Sequence, residues 1–288
     1  MSLISKYILR LIALHWLQSG ITDMLFESRY VLLCLYMIES YPHINNFLAR
    51  VKDDLQALLP DTLLGIYVWG SLVTNSYQEG LSDIDVLIVL RSDVDDKTIS
   101  HLKKWADTVL QQEVYAAKLD AVFIAQEYIN SGDGTTSQGC LEFWKGQVQK
   151  TGNCLGDNPL VLDMIRKTGV CLVGPAAQEV IEPISGEKIN NALQKELHAI
   201  QNGLQKHFDD LGWRYYAIST LCRIAYTYEM RDYVAKKEAL LWYRNHAPAH
   251  VSLIDSALAY HDGDSADIKK TDPDMYRNFI SEIESRIG

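Results

Sequence analysis

Two aspartates one residue apart, Asp83 and Asp85, stand at the entrance to an apolar run, Val86 to Leu90. If that run is a strand, successive side chains point to opposite faces, so both carboxylates share one face while Ile84 turns inward. Like charges held side by side repel unless a cation lies between them, and hard carboxylate oxygens suit Mg²⁺ with phosphate completing its shell. Upstream, the β-branched and aromatic run Ile66 to Trp69 breaks at Gly70-Ser71. A glycine after a strand lets the backbone approach a bulky ligand. The amides of a helix starting there, with the Ser71 hydroxyl, could hold a polyphosphate. The plainer reading is an ordinary turn and a solvated strand end, but it leaves paired carboxylates entering an apolar run without a partner, which is costly.

These residues need elements to position them. From Ile44 to Leu59 the apolar positions Phe47, Leu48, Val51, Leu55 and Leu58 recur at helical spacing, and Pro60 stops the pattern, which predicts a helix leading into the first strand. After the second strand, Asp93 to Asp96 reads as an acidic helix start, followed by an amphipathic helix through Ile99, Leu102, Trp105, Val109 and Leu110. Lys118 to Ile124 reads as a third strand with a carboxylate, Asp120, at its entrance. Glu113, in a helical pattern, and Glu127, past the strand, are the competing acids. Ser131 to Gly139 is a glycine- and hydroxyl-rich loop, either a plain connection or a lid. Trp144 beyond it could stack on a sugar or aminocyclitol ring or be buried in a core.

Gly-Ser, a short spacer and Asp-x-Asp between flanking strands resemble the signature of the nucleotidyltransferase superfamily of the DNA polymerase β type. Here Gly70-Ser71 and Asp83-Ile84-Asp85 supply it. The resemblance implies an α/β (α+β) domain with a small mixed sheet. It also implies a third acidic residue on a neighbouring strand, as metal ligand or as the base for the attacking hydroxyl, and Asp120 is the candidate.

With 288 residues the chain has room for one large domain or two ordinary ones, and 48% hydrophobic with 22% charged residues is the composition of a globular protein. A formal charge of −10 argues against nucleic acid, whose binders show a basic face, and suits a cationic partner or simply solubility. The five cysteines lack close pairing and read as free thiols in a reducing, cytoplasmic compartment, with a zinc site improbable. Residues 1–41 read as a short helical extension; Val31 to Ile38 falls far short of the roughly 18 apolar residues that span a bilayer. Met37 is a second candidate start, which would make residues 1–36 an addition to the native chain.

From about residue 157 the pattern turns helical, interrupted by an extended segment, Val170 to Val173, that ends at a Gly174-Pro175 turn. Leu193, Leu197, Ile200 and Leu204 form one stripe, and Tyr215 to Tyr228 is apolar on most sides, the mark of a central bundle helix. Arg223 stands out within it, because a buried arginine needs a carboxylate or a bound phosphate. The expected division is an extension over 1–41, a nucleotidyltransferase domain over 42–156 and an all-α helical bundle over 157–288.

The stretches Leu221 to Ile224 and Val234 to Ala239, with Trp242, Pro248 and Ala257-Leu258, resemble the C-terminal helical domain of the aminoglycoside 3″/9 adenylyltransferases. The likeness runs from about His43 to Asp262. It implies transfer of AMP from ATP to a hydroxyl of a streptomycin- or spectinomycin-type antibiotic, with Mg²⁺, in a pair of ions, held by Asp83, Asp85 and Asp120. Gly70, Ser71 and Ser82 would then touch phosphate, and Lys236, with Arg223 as a weaker candidate, would reach the triphosphate. Lys237 replaces Lys236 if the register slips by one, and either lysine could instead be a solvated helix start. Trp144 and Asp209 are the candidates for the acceptor. The partners implied are ATP and a small cationic, hydroxyl-bearing acceptor, with no nucleic acid and no membrane, and the chain is expected to be a monomer. Members acting on streptomycin carry acidic and histidine residues where this chain has Trp213 and Tyr216, and the base is typically glutamate, one methylene longer than Asp120. Two alternatives stay open: a nucleotidyltransferase that modifies a protein or RNA, and a noncatalytic nucleotide-binding module.

Overall fold

The computed structural model describes residues 41–79, 82–129, 140–144, 147–150 and 158–288, without the side chains of residues 144 and 150. The expected N-terminal helices, the Ser131 to Gly139 loop and the Trp144 side chain lie outside the described residues.

The chain divides into two compact units, one running through Asp157 and adding Ile165–Glu182, the other formed by Asn158–Met164 with Pro183–Gly288. The first unit begins with helix α1 (Pro42–Leu58), whose stripe Phe47, Leu48, Val51 and Leu55 is buried as its spacing predicts. Strand β1 (Leu63–Trp69), a single 3-10 turn (Gly70–Leu72), strand β2 (Ile84–Leu90) and helix α2 (Asp96–Gln112) follow. The acidic start of α2 is a cap: the Asp95 carboxylate accepts from the Thr98 amide at 2.7 Å. Strand β3 (Leu119–Ala125), a short helix α3 (Gln126–Ile129), and strands β4 (Cys140–Trp144) and β5 (Gln147–Lys150) come next.

The six strands form one mixed sheet in the order β5-β4-β3-β2-β1-β6, where β6 is Val170–Val173. Among the described residues only the β2–β3 pairing is parallel; β1 pairs antiparallel with β2 on one side and β6 on the other. The extended segment expected after residue 169 is therefore a sheet strand. Its Gly174 turn, at φ +94°, brings backbone so close to the Leu64 carbonyl that any Cβ would collide.

Alternation decides which side of the sheet does what. Ile66, Val68, Val86, Ile88, Ala121, Phe123, Leu141 and Phe143 point to the face that shares one core with α1 and α2. Trp105 of α2 packs on Phe143 and donates from its indole N–H to Asp54 of α1. The residues between them, including Asp85, Asp120 and Glu142, project from the opposite face.

The second unit is helical, and its core lies around α7 (Leu211–Met230). This is the central helix its all-round apolar sequence predicts: Ala217, Ile218, Leu221, Cys222 and Ala225 are fully buried. Around it stand α6 (Gly186–His207), α8 (Lys236–His246), α9 (Val251–His261) and α10 (Pro273–Ile287). Earlier in the chain come the short helices α4 (Pro159–Thr168), whose first half belongs to this unit, and α5 (Ala177–Val180), which belongs to the first. Asp163 of α4 is buried and accepts from the Tyr233 hydroxyl at 2.9 Å. The buried arginine of α7 is Arg214, 8% exposed, whose guanidinium donates to the carbonyls of Phe208 at 2.6 Å and Ile268 at 3.0 Å. Cys171 and Cys222 are free thiols, whereas Cys140 is disulfide-bonded, which departs from the all-thiol expectation.

Candidate active site

The parallel pairing of β2 with β3 puts Asp85 directly opposite Asp120, and the antiparallel pairing of β1 with β2 puts Asp85 opposite Trp69, the residue before Gly70. One register thus gathers two carboxylates and the glycine-serine turn at the same end of neighbouring strands. Asp83 lies two residues before Asp85, just ahead of β2, and its charge acts on Asp120. Gly70 has φ +72°, a left-handed backbone suited to glycine, and a Cβ there would fall on Asp85 Oδ2. The turn is therefore glycine because a carboxylate occupies the space a side chain would need.

Ser82 is built into the loop that delivers Asp83: its hydroxyl accepts from the Gln78 amide at 3.0 Å, and its own amide donates to the Gln78 carbonyl at 2.9 Å. Ser71 lies in the 3-10 turn, and its carbonyl accepts from the Ser76 amide. The Lys118 ammonium lies 3.8 Å from Asp83, a loose pair between half-exposed groups.

Asp120 is largely enclosed. Its Oδ1 is buried and has no hydrogen-bond partner. Burial, then the charges of Glu142 and Asp83, push its pKa up to about 6. Of the other two acids considered for this place, Glu113 is paired with Arg50 of α1 at 2.7 Å and Glu127 is exposed on α3. Glu142 was not singled out from the sequence. It stands opposite Val122 on β4, one alternation step from Asp120 on the same face. A lone acid between Leu141 and Phe143 was the available signal.

The donor chemistry fits a hard divalent cation, since several carboxylate oxygens gather at one end of the sheet, and Asp120 Oδ1 is buried without a hydrogen-bond partner. The oxygens are not drawn around one point. Among the described residues, no three His, Cys, Asp or Glu side chains are close enough to hold a metal ion.

In the helical unit, Lys236 opens α8 with its ammonium 5.8 Å from the centre of the Tyr215 ring, while Lys237 pairs with Asp262 at 2.7 Å. Arg223 is half-buried; one guanidinium nitrogen donates to the Thr220 hydroxyl at 3.3 Å, and its Nε is buried without a hydrogen-bond partner. Asp209 is exposed, whereas its neighbour Asp210 caps α7 by accepting from the Gly212 and Trp213 amides. Trp213 lies against Gly203, where its ring fills the space of a side chain, and stacks on Tyr276. The Tyr216 hydroxyl donates to Glu196 at 2.6 Å.

Two family models divide the chain between them. Residues 48–133 match a nucleotidyltransferase domain, and residues 179–286 match the C-terminal domain of aminoglycoside adenylyltransferases. The chain belongs to the aminoglycoside adenylyltransferase family. It is a nucleotidyltransferase, with the mixed-sheet domain and helical C-terminal region expected of that family. Among its relatives is an aminoglycoside (3″)(9) adenylyltransferase of Escherichia coli, 24% identical over 259 residues, which cover 85% of this chain and 95% of the relative. The fold is also that of a spectinomycin adenyltransferase from Enterococcus faecialis, solved with ATP and spectinomycin. That likeness has a TM-score of 0.62 at 17% identity and covers 84% of this chain and 98% of the other. Among the described residues no helix is long and apolar enough to cross a membrane.

Proposed function

We propose that the chain transfers AMP from ATP to a hydroxyl of an aminocyclitol antibiotic and so confers resistance. The observation that carries this reading is the register that sets Asp85 beside Asp120, next to the Gly70-Ser71 turn, on the face turned away from the helical core. Asp83, Asp85 and Asp120 would hold magnesium, in a pair of ions, which when bound offsets charge on the α-phosphoryl group and on the departing pyrophosphate. The protein's own contribution is to bind, orient and remove a proton. The backbone at Gly70 and the hydroxyls of Ser71 and Ser82 hold phosphate oxygens, while Lys236, with Arg223, neutralises the triphosphate. Asp120 takes the proton of the acceptor hydroxyl. The hydroxyl oxygen then forms its bond to the α-phosphorus as the bond to pyrophosphate breaks.

We infer further that Trp144 and Asp209 contact the acceptor, Asp209 by opposing an ammonium group. Spectinomycin stands ahead of streptomycin, because Trp213 and Tyr216 replace the acidic and histidine residues of streptomycin-acting members. Both are committed to packing or to Glu196. We place the reaction in the cytoplasm, where ATP is available, with the enzyme acting as a monomer. Incubation with radiolabelled ATP, magnesium and, separately, spectinomycin, streptomycin, cell lysate or tRNA tests the reading. Label on spectinomycin is the expected result. Label on protein or tRNA alone would instead assign a macromolecular acceptor.

A further inference from the structure

Where α7, α8 and α9 meet, Tyr215 is the hub of a basic cluster. Its hydroxyl is hydrogen-bonded to His261 Nδ1 at 2.7 Å, and its ring packs near Tyr260, at 5.4 Å between centroids, and His261, at 5.8 Å. The ring face carries the Lys236 ammonium, 5.8 Å from its centroid, within the range of about 6 Å over which a cation is attracted to an aromatic quadrupole. Arg223 lies close enough to influence the Tyr215 phenol, and Lys236 and Lys237 both act on the His261 imidazole, as does Asp262.

We propose that Tyr215 and His261 are positioning residues for nucleotide binding: acting through Lys236, they hold its ammonium in the place where it meets the triphosphate. A lysine has a long flexible stem, and an ammonium left to wander loses rotamer freedom when phosphate arrives. A ring fixed at its hydroxyl end by His261, and packed near Tyr260 and His261, removes part of that loss beforehand. This rests on the assignment of Lys236 to the triphosphate made above.

The test is calorimetric binding of MgATP and of magnesium tripolyphosphate to full-length Lys236→Ala, Tyr215→Leu, Tyr215→Phe, His261→Ala and His261→Asn. Melting temperature serves as the check on folding, and steady-state KM values for ATP and acceptor are measured alongside. Lys236→Ala should weaken both ligands most. Tyr215→Leu and His261→Ala should each weaken both by roughly twofold to fivefold, the size of a lost exposed cation–π contact. Neither should change the acceptor KM, and the double variant Tyr215→Leu/His261→Ala should be no weaker than Tyr215→Leu alone. His261→Asn, which keeps a polar atom near the position of Nδ1, should restore most of the loss. Should Tyr215→Leu fail to fold, Tyr215→Phe, which keeps the ring and loses the bond to His261, should behave as His261→Ala does. If Lys236→Ala binds both ligands like wild type, the lysine assignment falls and this inference with it. If Lys236→Ala weakens binding but folded Tyr215 and His261 variants do not, the inference alone is overturned. A loss seen with ATP but not with tripolyphosphate would also overturn it, because Tyr215 would then serve the nucleoside.

Discussion

Asp120 sets the chemistry at the scale of single residues. Its carboxyl is held near pKa 6 by burial and by two neighbouring acids, so in the metal-free protein the folded state binds its proton more tightly than the unfolded chain does. The contribution to stability is therefore full below the unfolded value of about 4 and is lost as pH rises through about 6. Asp120→Asn should remove that dependence and make the metal-free protein more stable at pH 7.5 by about 1 to 2 kcal/mol, after discounting for solvent screening. The same variant should lose AMP transfer. Urea titrations at pH 4.5 and 7.5 read the difference directly; equal destabilisation at both pH values would remove the account of its pKa. The places of Asp85 and Asp120 at strand entrances could be read from the sequence because each precedes an apolar run, whereas their standing opposite one another comes from the β2–β3 register. Glu142 could not, since an acid in a short strand after a glycine-rich loop gives no hint of which strand it will face. Arg214 was missed for a different reason. It follows the helix start, where an arginine reads as exposed, whereas Arg223 drew attention because its neighbours are apolar, and only half of it proved buried.

At the scale of elements, the turn after β1 is the tightest constraint. Gly70→Ala must hold a Cβ-bearing residue at positive φ and push that Cβ against Asp85. We expect a stability loss of about 1 to 3 kcal/mol together with a large loss of transfer, because the carboxylate must move. A variant of wild-type stability and activity would show that the turn and Asp85 are not so closely fitted. In the helical unit, Arg214 ties the start of α7 to the segment around Ile268 through carbonyl oxygens. Arg214→Leu keeps most of the apolar stem but leaves those buried acceptors unpaired, so it should cost about 2 to 4 kcal/mol in chemical unfolding. Helices and the first three strands were readable from period and punctuation. The pairing of Val170–Val173 with β1 was not, because a short apolar segment names no partner strand; only the sheet edge left by β1 supplies one.

At the scale of the whole molecule, a ligand that binds the folded chain and not the unfolded one shifts the folding equilibrium. Saturating MgATP should therefore stabilise the protein, by about 2.7 kcal/mol at a hundredfold excess over its Kd, visible as a rise of several degrees in melting temperature. The net charge of −10 suits a cationic acceptor, and the two-unit organisation follows from two separate apolar cores, each large enough to fold around its own elements. The most direct measurement is the mass of spectinomycin after incubation with ATP, magnesium and either the wild-type enzyme or Asp85→Asn. The wild type should yield spectinomycin carrying one AMP, with pyrophosphate released in equal amount, and Asp85→Asn should be slower by about 100- to 1,000-fold or more. Equal yields from the two proteins would contradict the assignment of the carboxylate site.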